Sequence, residues 1–517
     1  MTRTATVRRY GKATTKSRAE RLFAELPKSP SKKAPEAEET INLITDQLES
    51  ISLNDQTRYG EDARQESLED IAAPEAPKPG SQTEESALQD SSQFCDDELR
   101  VLAWDDVCPF GDRIEKIAEA SYAEVYRITN ERGTSIIKVI RLESPIKPQT
   151  KAQERSELVD EEPHSEDDLV GEIRISEWLA DIPGFVVYKE RYVVQGKAPK
   201  PLLETHQAFQ RKAKRKDPDR LQFYPSPSRY LEDTRFLVVE LGDAGIALED
   251  FELTSTAQLW DIFLHTAVAL ARAEDLVNFE HRDLHEGNLC VRQTGTPLAK
   301  RDESPCQFGY SGIDITILDY GLSRAEDTET TSEEAFTVAC DLEKDLSIFT
   351  STHALQCKVY RQMRSFLLKG DRVCLPPKSH TKPYELGIDG PISWDGYYPY
   401  TNVLWLAYIY QYLVDNFTGE KKELAQFKRT TKEFWLHLNP EAPRVVLSFS
   451  RAGDAVRYAV EAGWMTEDQL VGEGGKVVEA EFASVACNES IIEAPFPEVE
   501  DAHLRRSPRR RVQRALE

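Results

Sequence analysis

The sequence predicts an α+β fold of two lobes, a smaller β-rich lobe followed by a larger helical one, because strand-like segments come first along the chain and helical segments follow. Alternating or β-branched apolar residues over 114–128, 135–140 and 235–240 indicate strands of the first lobe. Apolar residues at helical spacing over 257–276 and 402–414 indicate the main helices of the second lobe.

Three further patterns complete the predicted order. Residues 144–168 are hydrophilic and predict an insertion, after which an amphipathic helix is predicted to open at Glu172. Residues 315–318 predict a strand between the two main helices of the second lobe. We therefore expect an N-lobe at 101–243, which contains the insertion, and a C-lobe at 244–475.

Polar, charged sequence on both sides of the lobes predicts disordered tails at 1–100 and 476–517. Residues 1–35 carry ten Lys or Arg against two Glu, whereas residues 36–100 carry eighteen Asp or Glu against four Lys or Arg. The C-terminal tail ends on a basic stretch at 505–511. The basic start of the chain has two interpretations, a solvated tail or an arm for nuclear import or chromatin contact.

The composition excludes several classes of protein. Hydrophobic residues make up 40% of the chain, and no run approaches the roughly 18 apolar residues of a membrane span. Met1 is followed by polar residues, so no secretory signal is expected. The eight Cys form no CxxC pair, which argues against a disulfide framework or a zinc finger. The net charge of −25 argues against a chain that coats nucleic acid, and it allows an acidic surface for a basic partner.

Two motifs carry the chemistry. The first, His-Arg-Asp-Leu-His-Glu-Gly-Asn at 281–288, would use Asp283 to accept a proton from a substrate hydroxyl and Asn288 to bind a metal ion. The second, Leu-Asp-Tyr-Gly at 318–321, would use Asp319 to bridge that metal to nucleotide phosphates. They match the H-R-D-x-x-x-x-N and D-F-G motifs of protein kinases, with Tyr in place of Phe. Positioned carboxylates and metal ions are the main machinery of phosphoryl transfer, which is therefore the predicted reaction.

A lysine in the predicted strand 135–140 completes the phosphate-binding set. Lys138 interrupts an apolar strand upstream of both motifs, as the lysine of V-A-I-K does, and is predicted to contact phosphate. Glu172, early in the following helix, is its best partner for an ion pair that holds it toward the α- and β-phosphates. Three other acids lie nearby and remain alternative partners: Asp167, Asp168 and Glu177.

The glycine-rich loop is where the kinase pattern breaks. The nucleotide contacts predicted there are Ala118, Glu119, Ala120, Ser121, Tyr122, Ala123 and Val125. Alanine occupies all three glycine positions and should stiffen the loop, since glycine adopts φ > 0 freely and lets backbone N–H groups approach phosphate. A pseudokinase is one interpretation of this change, but the lysine, aspartate and metal ligand that pseudokinases usually lose are all kept.

From about 101 to 475 the chain resembles the haspin family, atypical serine/threonine kinases of mitotic chromosomes. The resemblance rests on the segments 279–288, 318–324 and 398–406, on the lack of an A-P-E tripeptide after Asp319, and on an insertion over about 293–312. Two features depart from the family pattern, the alanine loop and Gly321, where animal members carry Thr.

The resemblance implies ATP and magnesium as cofactors, and phosphorylation of a threonine near the N-terminus of histone H3 during mitosis, in the nucleus and on chromosomes. It places the nucleotide-binding hinge at Glu240, Leu241, Gly242, Asp243 and Ala244, with Leu241 as gatekeeper. It places contacts to the basic histone tail at Glu249, Asp341, Glu343 and Asp345. It also implies a monomer that is active without phosphorylation of its activation segment.

Other partners and functions remain open in the sequence. Arg-Arg-Tyr-Gly-Lys at 8–12 resembles a short docking motif for a cohesin-regulating helical-repeat protein. The alternative functions are a small-molecule phosphotransferase, which shares the H-x-D-L-x-x-x-N loop, and a catalytically silent scaffold that binds chromatin through its tails. The basic tails alone would bind nucleic acid non-specifically, with a steep salt dependence.

Overall fold

The structure is a computed structural model. It describes residues 99–120, 123–155, 160–218, 220, 222, 224–300, 304–328, 336–471 and 489–492. The tails predicted at 1–100 and 476–517 lie almost entirely outside the described residues, as do the docking motif at 8–12 and both Ser121 and Tyr122. What the sequence predicts for these residues stays a prediction.

The N-lobe is built on one six-stranded sheet. Its strands are β1 (Val101–Ala103), β2 (Arg113–Glu119), β3 (Glu124–Asn130), β4 (Gly133–Arg141), β5 (Tyr188–Gln195) and β6 (Arg235–Gly242). They lie in the order β1-β5-β6-β4-β3-β2, and all neighbours are antiparallel except β1, which runs parallel to β5. The alternating segment predicted at 114–128 therefore belongs to two strands, β2 and β3.

Two small sheets belong to the C-lobe. The first consists of β7 (Ile246–Ala247), β8 (Leu289–Gln293) and β9 (Ile313–Ile317), and the second of β10 (Arg324–Glu326) and β11 (Thr337–Ala339). The strand predicted at 315–318 is β9, and the predicted helices at 257–276 and 402–414 are also present. The α+β fold of a β-rich lobe and a helical lobe is confirmed.

The described residues form twelve α-helices. They are α1 (Trp104–Val107), α2 (Lys151–Arg155), α3 (Glu166–Leu179), α4 (Lys200–Lys216), α5 (Thr256–Val277), α6 (Ser347–Thr350), α7 (Gln356–Lys369), α8 (Tyr400–Asp415), α9 (Lys421–Thr430), α10 (Lys432–Leu438), α11 (Ala452–Glu461) and α12 (Glu467–Val471). Helix α3 begins at Glu166 rather than at the predicted Glu172, and α4 has no counterpart in the sequence-based expectation.

Helix α5 is the central helix of the C-lobe. Ser255 and Gln258 form a capping box at its start, and Asn278 ends it in the left-handed conformation, at φ 45°. Its residues are apolar on nearly all sides, as expected of a helix enclosed by other elements. It packs against β9, α8 and α11, which anchors the β8–β9 pair on the core of the lobe.

The two faces of the N-lobe sheet bury different partners. One face carries Ile140 and Val239 and packs against Leu169 and Ile173 of α3. The other face carries a separate apolar cluster that includes Ile128, Ile137 and Val238 of the sheet, with Trp104 of α1 and Leu202 of α4. The strand period of two places alternate side chains on these two faces, so one strand serves both clusters.

The described residues 489–492 lie within the predicted C-terminal tail but pack on the N-lobe. Ile491 and Ile492 are buried in the cluster of Trp104 and Ile128. Ser490 Oγ and Ile491 N donate to the buried Glu240 carboxylate at 2.6 and 2.9 Å. The tail prediction is therefore wrong for these residues, because two isoleucines supply apolar surface that the N-lobe core lacks.

Among the helices in the described ranges, none has the length and apolar character to span a membrane.

We expect Ile491→Ala to lower the free energy of unfolding by roughly 2–5 kcal/mol, because it removes a buried aliphatic side chain and leaves a cavity. Leu447→Ala, at a position that is 83% exposed, is the matched control and should change it by less than about 0.5 kcal/mol. Chemical denaturation followed by circular dichroism measures both. Equal stability of the two variants would mean that Ile491 does not pack on the N-lobe.

Candidate active site

The predicted lysine lies on β4 and is bound by a glutamate of α3. Lys138 Nζ lies 2.6 Å from Glu172 Oε1 and 4.0 Å from Asp319 Oδ1. The rival acid Glu177 instead binds Arg191 at 3.0 Å. A cation held between carboxylates from two elements is fixed in direction, as a phosphate contact requires.

The β8–β9 pair explains why Asn288 and Asp319 lie side by side. Leu289 pairs with Ile317 in this antiparallel ladder, and Leu318 N donates to Asn288 O at 2.9 Å. Asn288 precedes β8 and Asp319 follows β9, so both side chains leave the ladder at the same end. Two motifs that are distant in sequence thereby form one polar site.

The donor set at this end fits a magnesium ion held together with phosphate. Burial alone would raise the pKa of Asp319, but the Lys138 ammonium lowers it below its ordinary value, so the carboxylate is ionised. Asn288 Nδ2 donates to Asp283 O at 2.8 Å, which leaves Asn288 Oδ1 as the oxygen ligand. Within the described ranges, no group of three or more His, Cys, Asp or Glu could hold a metal ion alone. Mg²⁺ suits such a site, because it takes one or two protein oxygens and completes its shell with water and phosphate.

The predicted base, Asp283, is positioned from two sides. Its Oδ1 accepts a hydrogen bond from the hydroxyl of Tyr360, a buried residue of α7. Its backbone N donates to His281 Nδ1 at 3.2 Å, so the His281 proton lies on Nε2 and is donated to Leu318 O at 2.9 Å. Burial lowers the pKa of His281 to about 4, which keeps the ring neutral and able to accept that bond. His281 thus links the two motifs.

A buried ion pair holds the catalytic loop on the C-lobe. Arg282 Nε and Nη2 donate to Glu280 at 3.1 and 3.0 Å, and both side chains are fully buried. Thr401 Oγ1 and Tyr398 N also donate to Glu280, at 2.8 and 2.7 Å. Arg282 lies 5.2 Å from the centre of the Trp394 ring, within cation–π distance. Removing either ion would leave the other buried without compensation.

The pairing register of the N-lobe strands decides which of the predicted nucleotide contacts lie on the same face as Lys138. Val125 lies opposite Lys138 and Ala118 lies opposite Val125, so these three side chains share one face. Val239 also lies opposite Lys138, and Leu241 lies on the same face because it pairs with Ile136. The predicted gatekeeper therefore borders the space in front of Lys138.

Two of the predicted nucleotide contacts turn their side chains away from that space. The Glu119 carboxylate accepts from Lys116 Nζ at 2.6 Å on the opposite face of the sheet. The Glu240 carboxylate is likewise buried behind the sheet, where it accepts from Ser135 Oγ at 2.6 Å. Only the backbone of these two residues can therefore contact a nucleotide.

The predicted hinge residues have contacts of their own. Ala244 is buried, Gly242 N donates to Val187 O at 2.8 Å, and Asp243 Oδ2 lies 3.5 Å from Arg127 Nε.

The acids predicted to bind a peptide differ in their surroundings. Glu249 is exposed and close to the catalytic loop, since its Oε1 is 3.7 Å from the position that a Cβ would take at Gly287. Although the residue as a whole is exposed, partial desolvation of its carboxyl group, followed by the charges of Asp250 and Glu286, raises the pKa of Glu249. Negative charge is therefore concentrated beside the predicted base.

Asp341 and Asp345 are partly buried at the start and end of the short helix Leu342–Lys344. Asp341 accepts from Glu343 N at 3.0 Å and Asp345 from Ser347 N at 2.9 Å. Both carboxylates therefore also stabilise the backbone around that short helix.

Glu343 does not fit the role of a peptide contact. Its carboxylate is buried, and Arg364 Nε and Nη2 donate to its two oxygens at 2.8 Å each. Trp394 Nε1 and Tyr384 N donate to the same group at 3.2 and 2.8 Å. With four donors and no exposure, this acid anchors the segment around it on the C-lobe, and a basic peptide cannot reach it.

Sequence reasoning missed the residues that hold the site in place. Tyr360 lies in a helix whose apolar spacing is that of an ordinary core helix, so nothing local marks its hydroxyl as a partner of Asp283. Glu280 is next to the first motif, but its partners Thr401 and Tyr398 come from a distant segment. In the sequence, that segment, 398–406, indicates only the resemblance to the family.

The chain matches one family model and several curated proteins. The family model is that of the haspin-like kinase domain, and it matches residues 22–459. The serine/threonine-protein kinase haspin of Mus musculus is 28% identical over 359 residues, which cover 66% of this chain and 40% of the mouse protein. A haspin homolog of Schizosaccharomyces pombe is 26% identical over 394 residues, which cover 69% of this chain and 68% of that protein. The haspin of Bos taurus is 27% identical over 360 residues, or 66% of this chain and 39% of the bovine protein.

The chain spans about two fifths of the length of the two mammalian relatives. The family model, in contrast, covers most of the chain, including the N-lobe, most of the C-lobe and both sequence motifs. The chain therefore belongs to the haspin kinase family.

Proposed function

We propose that this chain transfers the γ-phosphoryl group of ATP to a serine or threonine hydroxyl of a protein, and that its substrate is a threonine near the N-terminus of histone H3. The observation that carries the proposal is the assembled set of Lys138, Glu172 and Asp319. An ion pair of 2.6 Å between Lys138 and Glu172, with Asp319 at 4.0 Å, is the arrangement that phosphoryl transfer requires.

The roles of the residues follow from their positions. Lys138 would contact the α- and β-phosphates, and Asn288 and Asp319 would hold magnesium, which would supply positive charge to neutralise the phosphates. Asp283 accepts the proton of the attacking hydroxyl. The hydrogen bond from Tyr360 fixes the rotamer of Asp283, so the base is oriented before the substrate arrives.

Activity without phosphorylation of the activation segment is part of the proposal. In a kinase that requires it, the new phosphate pairs with an arginine cluster and orders the segment. Here Arg282 is buried and already paired with Glu280. Arg324, at the start of β10, is also occupied, since its Nε and Nη1 donate to Asp395 O at 3.1 Å and Asn278 O at 2.9 Å. Neither arginine is exposed to receive a phosphate.

The choice of a histone tail rests on charge. The tail is strongly basic and begins with a free α-amino group, and the chain has a net charge of −25. Glu249, Asp250 and Glu286 concentrate negative charge beside the catalytic loop. Glu249, Asp341 and Asp345 are the proposed contacts. Action in the nucleus and on mitotic chromosomes, as a monomer, belongs to the same proposal.

The direct test is transfer of labelled phosphate from ATP to a peptide of the histone H3 N-terminus, with magnesium present and Asp283→Asn as the blank. Label on the threonine of the peptide supports the proposal. Nucleotide binding without transfer to any peptide would favour a scaffold, and transfer to small molecules alone would favour a small-molecule phosphotransferase.

We expect Lys138→Ala and Asp319→Asn each to reduce turnover by about a thousandfold or more, because each removes a charge that acts on the transferred phosphate. Lys200→Ala is the control, since that lysine is exposed and pairs with Glu204 on α4. Initial rates with the histone peptide and circular dichroism of each variant check the result. A folded Lys138→Ala variant with normal turnover would contradict the assignment.

We expect Tyr360→Phe to lower kcat roughly tenfold and to leave the KM for ATP and for peptide nearly unchanged, because it removes one hydrogen bond to the base. Tyr410→Phe is a matched control, since Tyr410 is also a buried tyrosine but its hydroxyl bonds to Thr431 at 2.6 Å. Steady-state kinetics of both variants make the comparison. The role of Tyr360 as a positioning residue is refuted if both variants keep the kcat of the wild type.

We expect Glu249→Gln to raise the KM for the histone peptide by about threefold to tenfold, because one charge pair at a screened surface is worth on the order of 1 kcal/mol. The KM for ATP should not move, and added salt should reduce the difference between variant and wild type. Glu204→Gln, an exposed acid on α4, is the control. An unchanged peptide KM at low salt would remove Glu249 from the proposed contact surface.

A further inference from the structure

The loop that joins β2 to β3 has a charged, buried residue at each end. Glu119 ends β2 and Glu124 begins β3, and the two lie opposite each other in the ladder. Both are at most 7% exposed. Two carboxylates facing each other in a buried place repel unless cations and donors surround them.

One lysine bridges both ends of the loop. Lys116 Nζ lies 2.6 Å from Glu119 Oε1 and 2.6 Å from Glu124 Oε2. Lys116 and Glu119 are three residues apart in one strand and would ordinarily point to opposite faces. A β-bulge between Lys116 and Ala118 shifts the alternation and brings both to the same face. The bulge therefore allows one cation to tie the two ends of the loop together.

Tyr126 OH of β3 donates to Glu124 at 2.5 Å, and further donors to this buried cluster come from a segment that follows β5. We call it the α4 segment, namely helix α4 and the described residues after it up to Tyr230. Gln210 Nε2 and Arg220 Nη2 donate to Glu119 at 2.6 and 3.1 Å. Tyr230 OH donates to Glu124 at 3.0 Å.

The α4 segment also contacts the loop itself. The hydroxyl of Tyr224 donates to the backbone oxygen of Ala120. Ala120 N in turn donates to Ala123 O at 2.8 Å, which closes the loop. Thr205 Oγ1 of α4 accepts from Lys116 N at 2.7 Å, in the bulged part of β2. The loop is thus bonded to the α4 segment at its ends and on its own backbone.

The electrostatics of the cluster indicate a rigid connection. Burial alone would raise the pKa of Glu124, but Lys116 and then His206 hold it well below its usual range. The Lys116 ammonium is also within cation–π distance of Phe209 and Tyr224, at 5.3 and 5.4 Å. Fully bonded charges in a buried site resist rearrangement, because breaking one bond leaves a charge uncompensated.

We propose that the α4 segment fixes the described part of the nucleotide-binding loop, namely Ala118–Ala120 and Ala123–Val125, and that Tyr224 and Arg220 are positioning residues that set the affinity for ATP. This inference rests on the proposed function, since it concerns the same nucleotide site. It also accounts for the alanines at the glycine positions. A loop that is held in one conformation from outside does not need glycine's freedom, and alanine reduces the entropy lost when the loop orders around phosphate.

The test compares two buried tyrosines of the N-lobe. Tyr224→Phe removes only the hydroxyl that bonds to Ala120. Tyr192→Phe is the matched control, because the Tyr192 hydroxyl is buried and has no hydrogen-bond partner within the described part of the chain. We expect Tyr224→Phe to raise the Kd for ATP, measured by calorimetry, roughly fivefold to tenfold, as the loss of one hydrogen bond predicts. Tyr192→Phe should not change that Kd.

Arg220→Ala is a second variant, and we expect it to raise the same Kd to a similar extent. Steady-state kinetics should show a higher KM for ATP, whereas kcat and the KM for peptide should stay nearly constant. A general loss of structure would change all three constants. Amide hydrogen exchange of the peptide that contains the loop should be faster in Tyr224→Phe than in Tyr192→Phe. Normal thermal unfolding of each variant confirms that it is folded.

The inference is overturned if Tyr224→Phe and Arg220→Ala both bind ATP as the wild type does, or if kcat and both KM values change together. The proposed function fails separately, if the wild type binds ATP but transfers phosphate to no protein. In that case a weaker Kd in Tyr224→Phe would still support the role of the α4 segment, because binding is measured without transfer.

Discussion

The ion pair between Lys138 and Glu172 is the contact on which the arrangement of the site depends. It forms only when the sheet and α3 are both in place. Lys138 is fixed because β4 is hydrogen-bonded to β3 on one side and to β6 on the other. Glu172 is fixed because Ile173, the next residue of α3, is buried against the sheet. Asp319 of the C-lobe lies 4.0 Å from the same lysine. Lys138 therefore connects β4, α3 and the segment after β9, which are far apart in sequence.

Buried ion pairs are a second common feature, and they form three clusters, each in or beside a loop or short helix. The clusters are Glu280–Arg282 in the catalytic loop, Glu343–Arg364 at the short helix Leu342–Lys344, and Lys116 with Glu119 and Glu124 at the ends of the nucleotide-binding loop. A loop has few repeating hydrogen bonds of its own and is ordinarily more mobile than a helix or strand. An ion pair that cannot be broken without a large desolvation cost gives it a fixed position.

Sequence reasoning predicted the parts of the molecule that local pattern encodes. The two lobes follow from strand and helix periodicity, and Lys138, Asp283 and Asp319 from contiguous motifs whose order is diagnostic. It could not predict which side chains the strands turn away from the nucleotide, because one bulge near Lys116 reverses the alternation for Glu119. The resemblance placed Glu343 among the contacts to the peptide, and the sequence around Glu343 does not show that the distant Arg364 buries it. Contacts between segments far apart in sequence leave no local signal.

The packing of Ile491 and Ile492 on the N-lobe has a consequence for synthesis of the protein. Domains ordinarily fold as they leave the ribosome, N-terminal parts first. Here the apolar cluster around Trp104 and Ile128 is completed by residues that are translated after the entire C-lobe. Until then the nascent chain exposes an unfilled apolar surface beside the hinge strand β6, where chaperones that recognise exposed apolar segments would bind. The N-lobe core of this kinase is therefore completed only after the C-lobe has been synthesised.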